Sequence, residues 1–202
     1  MRKPKTAVLI MATLAATLMS CKNNKTDTAE TINGDNHQME MGNEMNNEMH
    51  EKMMNNGNQN QATAVINEYL ELKNALVADN TEKAAKVGGD LKNAIESFDQ
   101  SSIAEAQEQE VADILEDAKM HAEHILENKG NMVHQREHFQ ILSVDIKDLL
   151  AILGTDRTLY QAYCPMYNNG DGGIWLSAVE EIKNPYFGSK MLKCGKVQEV
   201  IQ

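Results

Sequence analysis

The sequence predicts a mainly α protein, an up-and-down four-helix bundle closed by a small C-terminal β-hairpin and loop cap. Three observations lead there. From about residue 62 to 153 the apolar residues recur at helical spacing. The chain has only three Pro and 4% aromatic residues, so little interrupts those helices. After residue 156 the character changes, with aromatic and β-branched runs separated by Asn/Gly clusters.

The first helix is expected near 62–78, with Val65, Tyr69, Leu72 and Leu76 on one face, and Asp79-Asn80-Thr81 breaks it and caps the next. The second, near 82–98, carries Ala84, Val87, Leu91, Ile95 and Phe98. Its Gly88-Gly89 pair either admits a neighbouring helix closely or marks a kink. Ser102-Ile-Ala-Glu105 has the form of a capping box for the third helix, whose buried row is Val111, Ile114, Leu115, Ala118, Ala122 and Ile125. Lys129-Gly130-Asn131 ends it. The fourth runs near 132–153 with Phe139, Leu142, Ile146, Leu149 and Leu153. Short turns between four helices give the up-and-down arrangement. Beyond them Leu159–Tyr163 and Gly173–Ser177 read as two strands about the turn cluster Asn168-Asn-Gly-Asp-Gly-Gly173.

The N-terminus reads as an address. Arg2, Lys3 and Lys5 precede a short apolar run, Val8 to Leu18, which ends in Leu18-Met19-Ser20-Cys21. This resembles a bacterial lipoprotein signal peptide, residues 1–20, with lipidation of Cys21. The expected product is exported and lipid-anchored to a bacterial membrane, facing the periplasm or the cell exterior. Loss of three basic residues with the leader takes the net charge from −11 to −14, which argues against nucleic acid and suits a protein that meets cations. Residues 21–60 are polar and poor in core formers, so the expectation is a disordered tether ahead of one domain at 61–202 (helices 62–155, cap 156–202).

That tether is rich in one kind of donor. His37, Met39, Met41, Met45, Met49, His50, Met53 and Met54 fall in a stretch without Leu, Ile, Val or any aromatic residue. Thioethers are soft and uncharged ligands, which points to capture of copper(I) or silver(I). The cap repeats the theme: Cys164-Pro-Met166 and Met191-Leu-Lys-Cys194 present two thiols and two thioethers. With Cys21 assigned to lipid, Cys164 and Cys194 are either soft-metal ligands, with Met166 and Met191, or partners in a disulfide.

Four histidines flank the third turn. His134 and His138 are i, i+4 and share a face, and a helical hairpin would bring His121 level with His138. The plainer reading makes His121 and His124 partial cations at a helix C-terminus and His134 a solvated residue. On that reading only His138, beside Phe139, is a candidate ligand.

Gln135-Arg-Glu-His-Phe139, Tyr163-Cys-Pro-Met166, Trp175-Leu-Ser177, Asn184-Pro-Tyr-Phe-Gly188 and Met191-Leu-Lys-Cys-Gly195 together resemble blocks of a domain of unknown function. It is found in exported bacterial proteins and fused to periplasmic adaptors of heavy-metal efflux systems. The resemblance spans about 62–200 and implies copper or silver handling, with His138, Cys164, Met166, Met191 and Cys194 as the positions of interest. No adaptor domain accompanies it here, so a free-standing tethered binder is expected, with efflux components as its candidate partners. No nucleophile elbow, Walker loop, Cys-x-x-Cys or His-Glu-x-x-His occurs, so the expectation is a non-enzymatic protein. The alternative is a structural or interaction lipoprotein with a Cys164–Cys194 disulfide and an acidic docking surface.

Overall fold

The computed structural model describes residues 62–202. The leader, Cys21 and the Met/His stretch from His37 to Met54 lie outside the described residues. Four helices follow in order: α1 at 62–77, α2 at Thr81–Glu96, α3 at Glu105–Glu127 and α4 at Met132–Leu153. A three-stranded antiparallel sheet completes the fold, with β1 Leu159–Cys164, β2 Gly173–Ser177 and β3 Lys196–Ile201 in the order β2-β1-β3.

Helices α2 and α4 form where their apolar rows and caps say they should. Asn80 caps α2 by accepting from Lys83 N–H, and Asn131 caps α4 by accepting from His134 N–H. Gly130, at φ 88, supplies the left-handed residue that the turn between α3 and α4 needs. Ser102, expected to begin α3, is not its N-cap. Asp99 instead caps a 3-10 turn over Gln100–Ser102, and α3 starts at Glu105 after Ala104, which makes no side-chain cap. Ile103, buried to 8% exposure, turns the chain inward between the two.

The core runs without a break from the helices into the cap. Tyr69 is fully buried between Phe139, stacked at 5.3 Å, and the sheet. Its hydroxyl accepts from Leu176 N–H (3.0 Å) and donates to Ser143 Oγ (2.8 Å), which in turn donates to Phe139 O (2.8 Å). One buried polar chain thus joins α1, α4 and β2 with every member satisfied, as a polar group away from water requires. Tyr186 packs against Phe139, with ring centroids 5.9 Å apart, and Trp175 stands edge-on to Tyr186. Each such fully buried side chain contributes roughly 1.5–3 kcal/mol.

Strand β3 is absent from the sequence reading. Its residues are mostly exposed, and a bulge between Gln161 and Ala162 breaks the alternation that would have marked it: Gln161 pairs with Glu199 but Ala162 with Val197.

The Gly88-Gly89 pair is a close approach of helices, and only one glycine makes it. A Cβ on Gly88 would stand 3.0 Å from Ala122 O and 3.2 Å from Leu126 N, both backbone atoms of α3. On Gly89 it would meet only the mobile end of Leu126, at 3.4 Å. Gly89→Ala is therefore expected to stabilise the protein by about 0.5–1 kcal/mol through helix propensity. Gly88→Ala should destabilise it by about 1 kcal/mol or more, as α3 is forced outward. Urea unfolding midpoints of the two variants should move in opposite directions.

Candidate metal centre on the α3–α4 hairpin

The four-residue connection 128–131 sets the C-terminal turn of α3 beside the first two turns of α4. Gln135, fully buried, fixes this arrangement: its Nε2 donates to Ile125 O (3.0 Å) and Thr81 O (3.1 Å), tying α4 to α3 and to the start of α2. The apolar rows of both helices face the core. His121 and His124 on α3, and His134 and His138 on α4, meet along the seam beside it.

The four rings form one connected cluster. His134 Nδ1 lies 3.1 Å from Glu137 Oε2, His134 Nε2 lies 3.1 Å from His138 Nε2, and His138 Nδ1 lies 2.9 Å from His121 Nδ1. The ring of His124 stacks on that of His138, with centroids 4.4 Å apart and planes 7° from parallel. Only one proton arrangement makes every contact a hydrogen bond with each ring neutral. The Glu137 carboxylate accepts from His134 Nδ1–H, His138 Nε2–H donates to His134 Nε2, and His121 Nδ1–H donates to His138 Nδ1. Neutrality also follows from the surroundings. Burial, then the neighbouring His124, His121 and His134, push the pKa of His138 down to about 4. Burial likewise lowers that of His121.

Neutral imidazoles converging on one point are metal ligands in waiting. Among the described residues, His124, His134 and His138 each offer a ligand atom within 4.8 Å of the others. The 3.1 Å between the two Nε2 atoms is close to the ~3.3 Å that two nitrogens span on a tetrahedral ion with bonds near 2.0–2.1 Å. Glu137 then stands behind His134, and His121 behind His138, as the outer partners that fix ring orientation and tautomer. Loading requires His138 to move its proton from Nε2 to Nδ1 and His121 to become the acceptor, with both rings neutral throughout.

The other sulfur and histidine positions fall elsewhere. Cys164, fully buried at the end of β1, has its Sγ 3.1 Å from that of Cys194, and both cysteines are free. His138 is not with them: its hydrogen bonds and ring contacts are to the other three histidines. Met166, 57% exposed, lines a groove of about 490 Å³ with Tyr167, Phe187, Arg136 and Lys190. Met191 is half-buried at the end of the 3-10 turn Gly188–Lys190. The expectation that His121, His124 and His134 stand apart from any ligand set is replaced by a cluster that contains all four rings. The i, i+4 pair and the symmetric spacing about Gly130 were the available signal. Helix-end electrostatics explained each histidine singly, and nothing in the sequence fixed how the two helices face.

Below the histidines the seam turns acidic. Asp145 has its Oδ2 buried without a hydrogen-bond partner. Burial first, then Asp117 and Asp148, raises its pKa to about 7.

The fold and the site together define a helical domain with an imidazole cluster able to hold a metal ion. Residues 65–158 match the model of a family described as a protein of unknown function, DUF3347. Over its four helices the chain is thus similar to a domain of unknown function, as the resemblance implied; the matched stretch ends before Cys164 and the other cap blocks. No curated protein and no solved structure matches the chain.

Asp145 yields a pH prediction. A carboxyl with a raised folded pKa favours folding below its unfolded value near pH 4 and loses that contribution as pH rises through about 7. Asp145→Asn should therefore stabilise the metal-free protein by about 1 kcal/mol at pH 8, a figure discounted because the carboxyl is half in solvent. The gain should shrink towards zero at pH 4. Thermal melts at the two pH values check it.

Proposed function

We propose that this is an exported, lipid-anchored metal-binding protein, and that copper is its metal. The convergence of His124, His134 and His138 across the α3–α4 hairpin, with Glu137 and His121 behind them, carries the reading. Imidazole suits copper, zinc and nickel, and copper(II) binds such donors most tightly among the divalent ions. The Met/His stretch at 37–54 suits copper(I). Copper is the common metal that both donor sets accommodate. The leader and Cys21 support tethering to a membrane, where residues 37–54 would gather ions near the folded centre. A role in heavy-metal tolerance beside efflux components rests on the resemblance of the sequence blocks. The protein acts by binding, not by turnover.

Titration of the leaderless chain with Cu(II) tests this. His134→Gln/His138→Gln should lower the stoichiometry by one equivalent, because the capture stretch is untouched. His121→Gln and Glu137→Gln should each keep the stoichiometry and weaken the centre about 10- to 100-fold, as outer partners do. Unchanged stoichiometry in the His134/His138 variant would exclude the hairpin as the centre.

A further inference from the structure

The sequence joined His138 to the two cysteines in a single site. The structure separates them, and what remains in the cap has its own logic. Cys164 ends β1 and Cys194 sits just before β3, whose Lys196 pairs with Tyr163, so adjacent strands bring the two thiols face to face at 3.1 Å. The loop that delivers Cys194 is held from behind. Asn184, fully buried, donates from Nδ2 to Cys194 O (2.7 Å), and its backbone N–H donates to Leu192 O (2.8 Å). Its Oδ1 accepts from Tyr186 N–H and Phe187 N–H. Gly195, at φ 134, lies so close to β1 that a Cβ there would stand 2.9 Å from Tyr163 O and 2.7 Å from the Trp175 ring.

We propose that Cys164 and Cys194 form a second metal centre, a dithiolate for a soft monovalent cation of the copper(I) or silver(I) class, independent of the imidazole cluster. Thiolate donors select such soft ions, whereas imidazoles suit borderline divalent ones. Sulfurs sharing one ion at bonds near ~2.3 Å stand about 3.8 Å apart at a tetrahedral angle and further apart when linear. From 3.1 Å they reach this by parting, which a rotation of the half-buried Cys194 side chain accomplishes. The hydrogen bond to Cys164, then burial, raises the pKa of Cys194, and a dithiolate forms only as both thiols give up their protons. Binding one cation therefore releases two protons to solvent and leaves a bis-thiolate complex with a net charge of −1. The two centres divide the metal by softness: sulfur in the cap for the reduced ion, nitrogen on the hairpin for the divalent one.

The test uses the leaderless full chain with Cys21→Ser, reduced and kept anaerobic, and Cu(I) supplied from its bicinchoninate complex. Expected are a new near-UV thiolate-to-copper absorption that saturates at one equivalent and at least tenfold slower alkylation of Cys194 by iodoacetamide. Cys194→Ser, at a half-buried position, should lose the absorption while keeping its helical circular dichroism; Cys164→Ala gives the same readout from the buried side. His134→Gln/His138→Gln should retain it, which separates this proposal from the imidazole reading. The proposal is overturned if reduced, folded protein shows neither absorption nor protection. It is equally overturned if the signal survives in Cys194→Ser, or if it vanishes in the His134/His138 variant.

Discussion

The connection between α3 and α4 is only four residues long, and it obliges the two helices to run antiparallel in contact from their first shared turn. Their apolar rows, Val111 to Ile125 and Phe139 to Leu153, are both committed to the core. What meets on the seam beside that core is therefore whatever the flanking positions hold, and in this chain they hold four histidines and a set of aspartates. Gln135 makes the geometry definite. It spends both amide protons on backbone carbonyls of two other segments, so α4 cannot slide along α3 without leaving a buried donor unpaired. The convergence of imidazoles follows from this rigid register.

The cap is joined to the same frame by different means. The Tyr69–Ser143–Leu176 chain locks the sheet onto α1 and α4 from inside. At the edge, Arg136 donates to Leu76 O, Pro185 O and the Asp79 carboxylate, which also accepts from Ser189 N–H. Burial opposes ionisation of Asp79, but the bonds from Ser189 and Arg136 overcome it and hold its pKa near about 2. Arg136 sits between His134 and His138 in sequence but faces the other way. Opposite faces of one stretch of helix thus carry the histidine cluster and anchor the cap.

This arrangement places donors of opposite character on one scaffold. The imidazoles sit at the rim of the helical core, where burial first and then the neighbouring rings lower the pKa of His138. Of the thiols, Cys164 is fully buried, and Cys194, whose carbonyl accepts from Asn184, is half-buried. Softness, not proximity, is what distinguishes the two sets. An ion that changes oxidation state would change its preferred set with it.

The sequence by itself determined the helices, two of the three strands and the residue types that bear chemistry, because these depend on local periodicity, capping and donor softness. The bounds of α1, α2 and α4 follow from apolar spacing and from Asn80, Asn131 and Gly130 alone. It did not determine β3, whose alternation is broken by a bulge and whose exposed face carries no burial signal. Nor did it determine which donors meet. His138 lies beside Phe139 in the chain and reads as a ligand of the sulfur site, whereas the helix end accounts for His121 and His124 singly. Only the rotation of α3 against α4, fixed by long-range packing and by the hydrogen bonds of Gln135, turned those rings towards one another. The pairing of Cys164 with Cys194, by contrast, is legible once Cys21 is set aside, because no other cysteine remains; that they meet face to face at 3.1 Å was decided by strand register, a non-local quantity.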